Sequence, residues 1–563
     1  MKRIDLPVGI SDFKKIRENG SYYIDKTGLI EEILRTKGTE VTLITRPRRF
    51  GKSLGMSMLA HFFDIRENSR ELFAGLKISQ NQDLYEKWLN QYPTVLISLK
   101  DITGLEFSVA YERLQGQMSE LFMKHEYLLN CDKISEEDKK NFTLIKSGEA
   151  TIGQISRAFG ILTRMLQRYY GKPAILLIDE YDVPVSKANE NGYYREMLDI
   201  IRSILSTALK DNASLKFAVI TGCLRITKES IFTGLNNFTT DTISDKRYDE
   251  YFGFTEEEVR KLLQDTELEE RFELVQKWYD GYHFGDIDIY CPWDVLNYVS
   301  KAITQGTVKP ENFWENTSGN MIIRQFLERT EYDVTEKFET LLNGGYIKEK
   351  ISENLTYEFI HSSEKNLWSL LYMTGYLTKV KPEKLNAGDK LKDQEIALQI
   401  PNAEVMDIFR KSVVEWFYDK TINSDRQELF HALWNGDAEK LTELLSDLLF
   451  DTISYHDYSE SFYHAFVTGL VSSAGYIVES NYENGLGRSD IVIKDRRNRR
   501  AAVLEAKIVS EEGQMEKKCQ EALKQIEEKQ YAKKIERSGF RKVISYGTAF
   551  YKKECLVKTT GKP

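Results

Sequence analysis

Thr45-Arg46-Pro47-Arg48-Arg49-Phe50-Gly51-Lys52-Ser53 follows the apolar run Val41 to Ile44 and opens a stretch in which Leu54, Met58, Leu59 and Phe62 recur at helical spacing. A buried strand, a short loop and a helix starting at Gly-Lys-Ser form the order needed to cradle nucleotide phosphates. Glycine lets backbone amides approach the phosphate oxygens, lysine brings an ammonium to the outer phosphates, and the serine hydroxyl reaches Mg2+. The usual pattern is G-x-x-x-x-G-K-[ST], and here Arg46 stands where its first glycine would be. The competing reading of the stretch is a basic surface turn between a strand and a helix.

Further strands read the same way. Thr94 to Leu99, Ala174 to Ile178 and Lys216 to Gly222 are short apolar runs, separated by helical regions near 107–129 and 193–209. Continuous apolar strands alternating with helices predict an α/β parallel sheet covered on both faces. The run Ala174 to Ile178 ends in Asp179-Glu180, acids at the C-terminal mouth of such a sheet. There Asp179 is placed to hold Mg2+ and Glu180 to orient or deprotonate an attacking water, the competing reading being an acid that caps the helix after the strand. Thr221 ends the fourth strand, where it either contacts the terminal phosphate or simply hydrogen-bonds the strand end. Arg225 either supplies positive charge to phosphates, in cis or across a homo-oligomer, or makes a surface ion pair. Arg48 and Arg49 either touch phosphate or face solvent.

Thr255 and Glu258 form a capping-box pattern, which places a boundary after residue 254. The expected division is 1–254 for the sheet domain, 255–375 for a helical extension, 376–458 for a helical connector and 459–563 for a final α/β domain. In that last domain Asp490 and Glu505-Ala506-Lys507 fall on adjacent predicted strands with a charged turn, Lys494 to Arg500, between them. Two carboxylates holding Mg2+ and a lysine on the same strand face suit metal-dependent phosphodiester cleavage. Gln525, one helix later, could orient the lysine or meet a backbone phosphate, and Glu460 could add a carboxylate. The bland alternative for E-x-K is charge alternation on a solvent face.

At 563 residues the chain exceeds a single core. Its 41% hydrophobic and 29% charged residues belong to a globular protein rather than a disordered or fibrous one. Net charge is −9, yet residues 459–563 hold 20 Lys and Arg against 14 Asp and Glu, a balance of +6 that leaves −15 for residues 1–458. That is where a polyanion would dock. Met1 to Leu6 has no apolar signal core and no run approaches the ~18 apolar residues of a membrane span, so a cytoplasmic protein with no membrane partner is expected. Five scattered cysteines and no C-x-x-C pair indicate neither a disulfide framework nor a structural zinc site.

On these residues the chain resembles the bacterial family of AAA-ATPase-like proteins fused to a PD-(D/E)XK nuclease-like domain. The resemblance rests on Leu6-Pro7-Val8-Gly9-Ile10, Tyr23-Ile24-Asp25-Lys26-Thr27, Arg46 to Ser53, Leu177 to Asp182, Thr221-Gly222 and Tyr279 to Tyr282. At the C-terminus it rests on Asp490, Glu505 to Lys507, and the helix carrying Gln525 and Tyr531. It implies an AAA-like P-loop NTPase core, a helical middle and a restriction-endonuclease-like end, with ATP rather than GTP as the nucleotide. The nucleotide positions would be Arg49, Phe50, Gly51, Lys52, Ser53, Asp179, Thr221 and Arg225. Where the nuclease name has Pro-Asp, this chain has Ser489-Asp490. The function expected is ATP hydrolysis that gates or drives a Mg2+-dependent nuclease acting on nucleic acid, with DNA the favoured polymer. The alternative is a nucleotide-controlled signalling or assembly switch whose C-terminal domain binds without cutting. For Tyr23 to Thr27 the sequence offers only that Asp25 or Thr27 caps the following helix.

Overall fold

The computed structural model describes the chain except residues 1–3, 37–39, 226–237, 307, 315–322, 324–334, 354, 356–362, 387, 422–426, 453–459, 473, 485–486, 510 and 561–563. At 335–336, 339, 414–421, 450–452, 460–462, 465, 480–484, 487–490 and 534 it describes the backbone alone. The chain forms two compact units, Met1–Phe313 with Lys348–Glu404, and Trp314–Ile347 with Val405–Pro563.

The first unit is built on five parallel strands: β1 (Val41–Thr45), β2 (Thr94–Ser98), β3 (Ala174–Asp179), β4 (Leu215–Gly222) and β5 (Phe238–Asp241). Their order is β2-β3-β4-β1-β5. Every residue of β1 and β3 is buried, as expected of strands covered on both faces. The helix Lys52–Phe63 packs on β2 and β3, and Ala158–Tyr170 covers β3 as well. Met58, Leu59, Phe62 and Phe63 join Ile44, Ile175, Leu177 and Val219 in one core.

Register places the site. Ser98 pairs with Asp179, Ile178 with Ile220, and Thr45 with Gly222. Side chains at the C-terminal ends of all five strands therefore share one edge of the sheet. The fifth strand is absent from the sequence reading, because Phe238–Asp241 is only four residues with three polar members.

After β5 the chain becomes largely helical. Thr255 caps Glu256–Asp265, and the reciprocal Glu258 bond completes the capping box the sequence predicts. A short hairpin, β6 (Tyr282–Phe284) and β7 (Ile287–Ile289), precedes the helix Pro292–Gln305. Tyr279, Tyr290, Val295 and Tyr298 form the core of this region, with Leu6, Tyr22 and Ile24 of the N-terminal segment packed against it.

The second unit ends in a five-stranded sheet ordered β8 (Ile477–Asn484), β9 (Gly487–Asp495), β10 (Arg500–Ile508), β11 (Lys542–Tyr551) and β12 (Glu554–Thr559). Only β10 and β11 are parallel, and the helices Met515–Glu528 and Tyr531–Arg537 connect them. The first helix lies directly on β11: a Cβ at Gly547 would sit 2.2 Å from the Cys519 carbonyl oxygen. The sequence predicts one helix over 515–534; it breaks at Gln530, whose φ of 55° no helix accommodates.

Candidate functional site

The loop after β1 turns through Arg49 (φ 72°) and Gly51 (φ 84°), and Lys52 begins the helix. Left-handed backbone at Gly51 aims the first helical amides into the turn, where an anion meets unsatisfied N–H groups. Lys52 is 4% exposed and its Nζ donates to the carbonyls of Arg46 and Pro47, both at 2.9 Å. The lysine is thus folded across its own loop, with Cys223 Sγ 3.6 Å away.

Asp179, 3% exposed at the end of β3, joins the pieces. Its Oδ2 accepts from Ser53 Oγ at 2.5 Å and its Oδ1 from Thr221 Oγ1 at 2.5 Å. One carboxylate therefore bridges the helix start and the end of β4. Ser53 Oγ and Asp179 Oδ2 are hard oxygen donors beside an ammonium, a set that suits Mg2+ shared with nucleotide phosphates rather than caged by protein alone. Among the described residues no group of three or more His, Cys, Asp or Glu side chains could hold a metal ion.

Glu180 follows in left-handed backbone, φ 54°. Burial pushes its carboxyl above the usual range, opposed by nearby Lys52. Asp182 is buried and accepts the backbone N–H groups of Cys223 and Leu224, at 2.9 and 3.0 Å, while Tyr181 Oη donates to the Leu224 carbonyl at 2.8 Å. These bonds pin the exit of β4. Gly222 is required there, since a Cβ would come within 2.6 Å of the Tyr181 ring.

Arg46 has a different job from the glycine it replaces. It is fully buried, pairs with Asp241 at 2.6 Å and donates to the Thr45 carbonyl at 2.8 Å. Its guanidinium lies 5.6 and 5.5 Å from the ring centroids of Phe252 and Phe284. Its backbone N–H bonds the Gly222 carbonyl, and its own carbonyl receives Lys52. Arg46 thus ties β1, β4 and β5 to the lysine from inside the fold.

The remaining loop residues separate. The Phe50 ring is buried edge-on against Tyr282, 4.9 Å between centroids, and against Phe284, so it anchors the loop to β6. Arg49 lies 3.8 Å above the Trp293 ring. Arg225 has a buried Nε with no hydrogen-bond partner among the described residues.

A cavity of about 270 Å³ runs from Gly51, Lys52, Ser53 and Glu180 to Pro7, Ile10, Tyr23, Phe254 and Trp293. Its far wall comes from the N-terminal strings that carry the family resemblance. Thr27 makes no side-chain cap on its own helix, Gly28–Arg35, contrary to expectation. Instead Thr27 Oγ1 accepts the Ile78 amide at 3.1 Å and Asp25 Oδ2 the Lys77 amide at 2.6 Å, capping Lys77–Gln80. Lys26 pairs with Glu258 at 2.6 Å and bonds the Glu250 carbonyl. The motif fastens the cavity wall to the sheet domain on one side and to the helix Glu256–Asp265 on the other.

In the second unit Glu505 is 1% exposed on β10. Its Oε1 accepts from Gln525 Nε2 and lies 3.3 Å from Lys507 Nζ. Gln525 thus meets the carboxylate directly rather than the lysine. Ile491 pairs with Leu504 across β9 and β10, so the next step brings Asp490 level with Glu505. The side chains of Asp490 and Glu460 lie outside the described residues. Tyr531 is core, packed with Val492, Val503 and Ile526.

Residues 7–232 match a family described as "Predicted AAA-ATPase", and residues 458–560 match the PD-(D/E)XK nuclease superfamily. Over 554 residues the chain is 26% identical to a protein of Azotobacter chroococcum mcd 1 described as "Uncharacterized protein in vnfD 5'region". That similarity covers 96% of this chain and 95% of the relative, so it spans both matched regions.

Proposed function

This chain joins an AAA-ATPase-like domain, residues 7–232, to a PD-(D/E)XK nuclease-like domain, residues 458–560, and from that pairing we propose an ATPase that gates or drives a Mg2+-dependent nuclease. The observation that carries the reading is Asp179 bridging Ser53 and Thr221 beside Lys52 at the C-terminal edge of a parallel sheet.

ATP lies with its phosphates over the amides at Gly51 to Ser53 and its base toward the apolar far wall of the cavity. Lys52 exchanges its two loop carbonyls for phosphate oxygens. Ser53 and Asp179 would hold Mg2+, which would neutralise charge on the phosphates. Glu180 takes the proton of the attacking water, and burial moves its carboxyl toward the basicity that task needs. Thr221 senses the terminal phosphate through the carboxylate it shares with Ser53. Arg49 closes the rim against Trp293, Phe50 contributes its amide, and Arg225 adds charge from the exit of β4, in this subunit or to a neighbouring copy.

In the second unit Asp490 and Glu505 would hold Mg2+, Lys507 would support the attacking water, and Gln525 fixes the Glu505 carboxylate. Nucleic acid, with DNA favoured, is the substrate. Among the described residues no helix is long and apolar enough to cross a membrane, and we place the protein in the cytoplasm.

The test is ATP hydrolysis and DNA cleavage by the whole chain beside Lys52→Ala and Lys507→Ala. Each variant is expected to lose its own activity by 10²-fold or more, an estimate of roughly 3 kcal/mol of lost transition-state stabilisation. One observation favours the alternative, a non-cleaving binding domain: Glu505 Oε1 is already engaged by both Gln525 and Lys507. Nucleotide-dependent DNA binding with no cleavage in Mg2+ or Mn2+ would decide for it.

A further inference from the structure

The turn Arg496-Arg497-Asn498-Arg499 joins β9 to β10, and all four residues are exposed. Its acid points inward: Asp495, 6% exposed, accepts from the Asn498 amide at 3.1 Å, Asn498 Nδ2 at 2.7 Å and Arg500 Nε at 2.8 Å. Arg500 in turn stacks 4.5 Å over Trp434. The turn is thus held by one arginine and one aspartate while its other three arginines face solvent. Two more arginines come to the same end. Arg541, exposed, donates its backbone N–H to the Arg499 carbonyl at 2.7 Å, and Arg537 closes the helix Tyr531–Arg537 four residues earlier. Between Lys529 and Lys553 the sequence holds a single acid, Glu536. Among the described residues the ion pairs at this end are Lys494–Glu479 and Arg500–Asp495, and neither uses the five outer arginines.

The cluster is far from Glu505 and Lys507. Along β10, at about 3.3 Å per residue, Arg500 and Glu505 are roughly 17 Å apart and Arg499 and Lys507 roughly 26 Å. A group contacting these arginines is therefore not the group being cut. Of the residues between them, Asn498, Ser538 and Gly539 carry no aromatic ring, and the ring of Phe540 packs against the core of Val492, Val503 and Tyr531. Planar guanidinium groups on a rigid turn suit phosphate oxygens.

We propose that this arginine end is a second nucleic-acid contact, which grips the phosphate backbone of a duplex about 5–8 base pairs from the carboxylate end, at 3.4 Å per base pair. It rests on the reading that the C-terminal domain acts on nucleic acid. It supplies affinity and orientation without reading sequence.

The experiment measures binding of the full chain to a labelled duplex of about 30 base pairs across a salt series, in Ca2+, beside Arg496→Ala/Arg497→Ala/Arg499→Ala and, separately, Arg537→Ala/Arg541→Ala. These exposed positions are outside the core, and thermal melting checks that both variants fold. The slope of log affinity against log salt is expected to fall by about 2–3 in the triple variant and about 1–2 in the double. Wild-type binding with slopes unchanged in both variants overturns the patch and leaves the nuclease reading intact. Binding that depends on the arginines in a protein that never cuts upholds the patch and overturns cleavage. No duplex binding by the wild-type chain overturns both. Arginine-dependent binding to phosphatidylserine vesicles in preference to duplex overturns nucleic acid as the partner.

Discussion

At the scale of single residues, Arg46 shows how a sequence motif can depart from its pattern without losing its geometry. The usual first glycine makes room for phosphate. Here that position is filled by a buried cation whose partner, Asp241, burial alone pushes toward protonation. Arg46→Gly would restore the consensus and leave that acid uncompensated. Breaking a buried pair from one side costs about 3–5 kcal/mol, less whatever Asp241 recovers by taking a proton. The expected result is a chain that unfolds at lower denaturant and binds ATP more weakly, with Arg46→Gly/Asp241→Asn regaining part of both. Tighter ATP binding by the single variant would show that Arg46 obstructs the cradle. Glu180 gives a prediction in pH. Its raised carboxyl must be ionised to accept a proton, so ATP hydrolysis should fall as pH drops through a value above the ordinary glutamate range. Glu180→Gln should be slow and lack that limb, read from initial rates over roughly pH 4–8.

At the scale of elements, what was legible follows from how each element is stabilised. β1, β3 and the helix Lys52–Phe63 bury apolar side chains at regular spacing, and that spacing is written in the chain. β5 is held by its pairing to β1 and by Arg46 on Asp241, residues 195 positions apart, so nothing local announces it. Gly-Lys-Ser and Asp179-Glu180 could be read because their chemistry needs those residue types. The cavity wall from Pro7 to Lys26 could only be recognised as a family string, since its caps fall on a helix about 50 residues away. The helix Pro292–Gln305 has a buried acid in its first turn, Asp294, and burial pushes its carboxyl up to about 6. A folded value above the unfolded one means that the native state binds the proton more tightly. Stability from this group is therefore greatest at low pH and is lost as pH rises through about 6. Urea titrations at pH 4.5 and 7.5 should show the difference in wild type and a smaller one in Asp294→Asn; an equal difference would mean that other groups carry it.

At the scale of the whole molecule, charge and chemistry are divided in the same place. The −15 of residues 1–458 repels a polyanion, while the +6 of residues 459–563 attracts one. Nucleic acid is therefore expected at the domain that carries Glu505 and Lys507. If the two activities are linked, duplex DNA raises the ATPase rate of the wild-type chain several-fold. Lys507→Ala keeps that stimulation while cleavage disappears, because the polymer still binds. Replacing the five outer arginines lowers the stimulation at a given DNA concentration, and raising that concentration restores it, since only affinity has changed. Linkage runs both ways, so ATP must also alter DNA affinity by the factor by which DNA alters ATP affinity. Equilibrium titrations of each ligand at saturating levels of the other, with Glu180→Gln to slow turnover, measure both factors. Unequal factors would mean turnover persists, and two factors of one would mean that the domains share a chain but no binding energy.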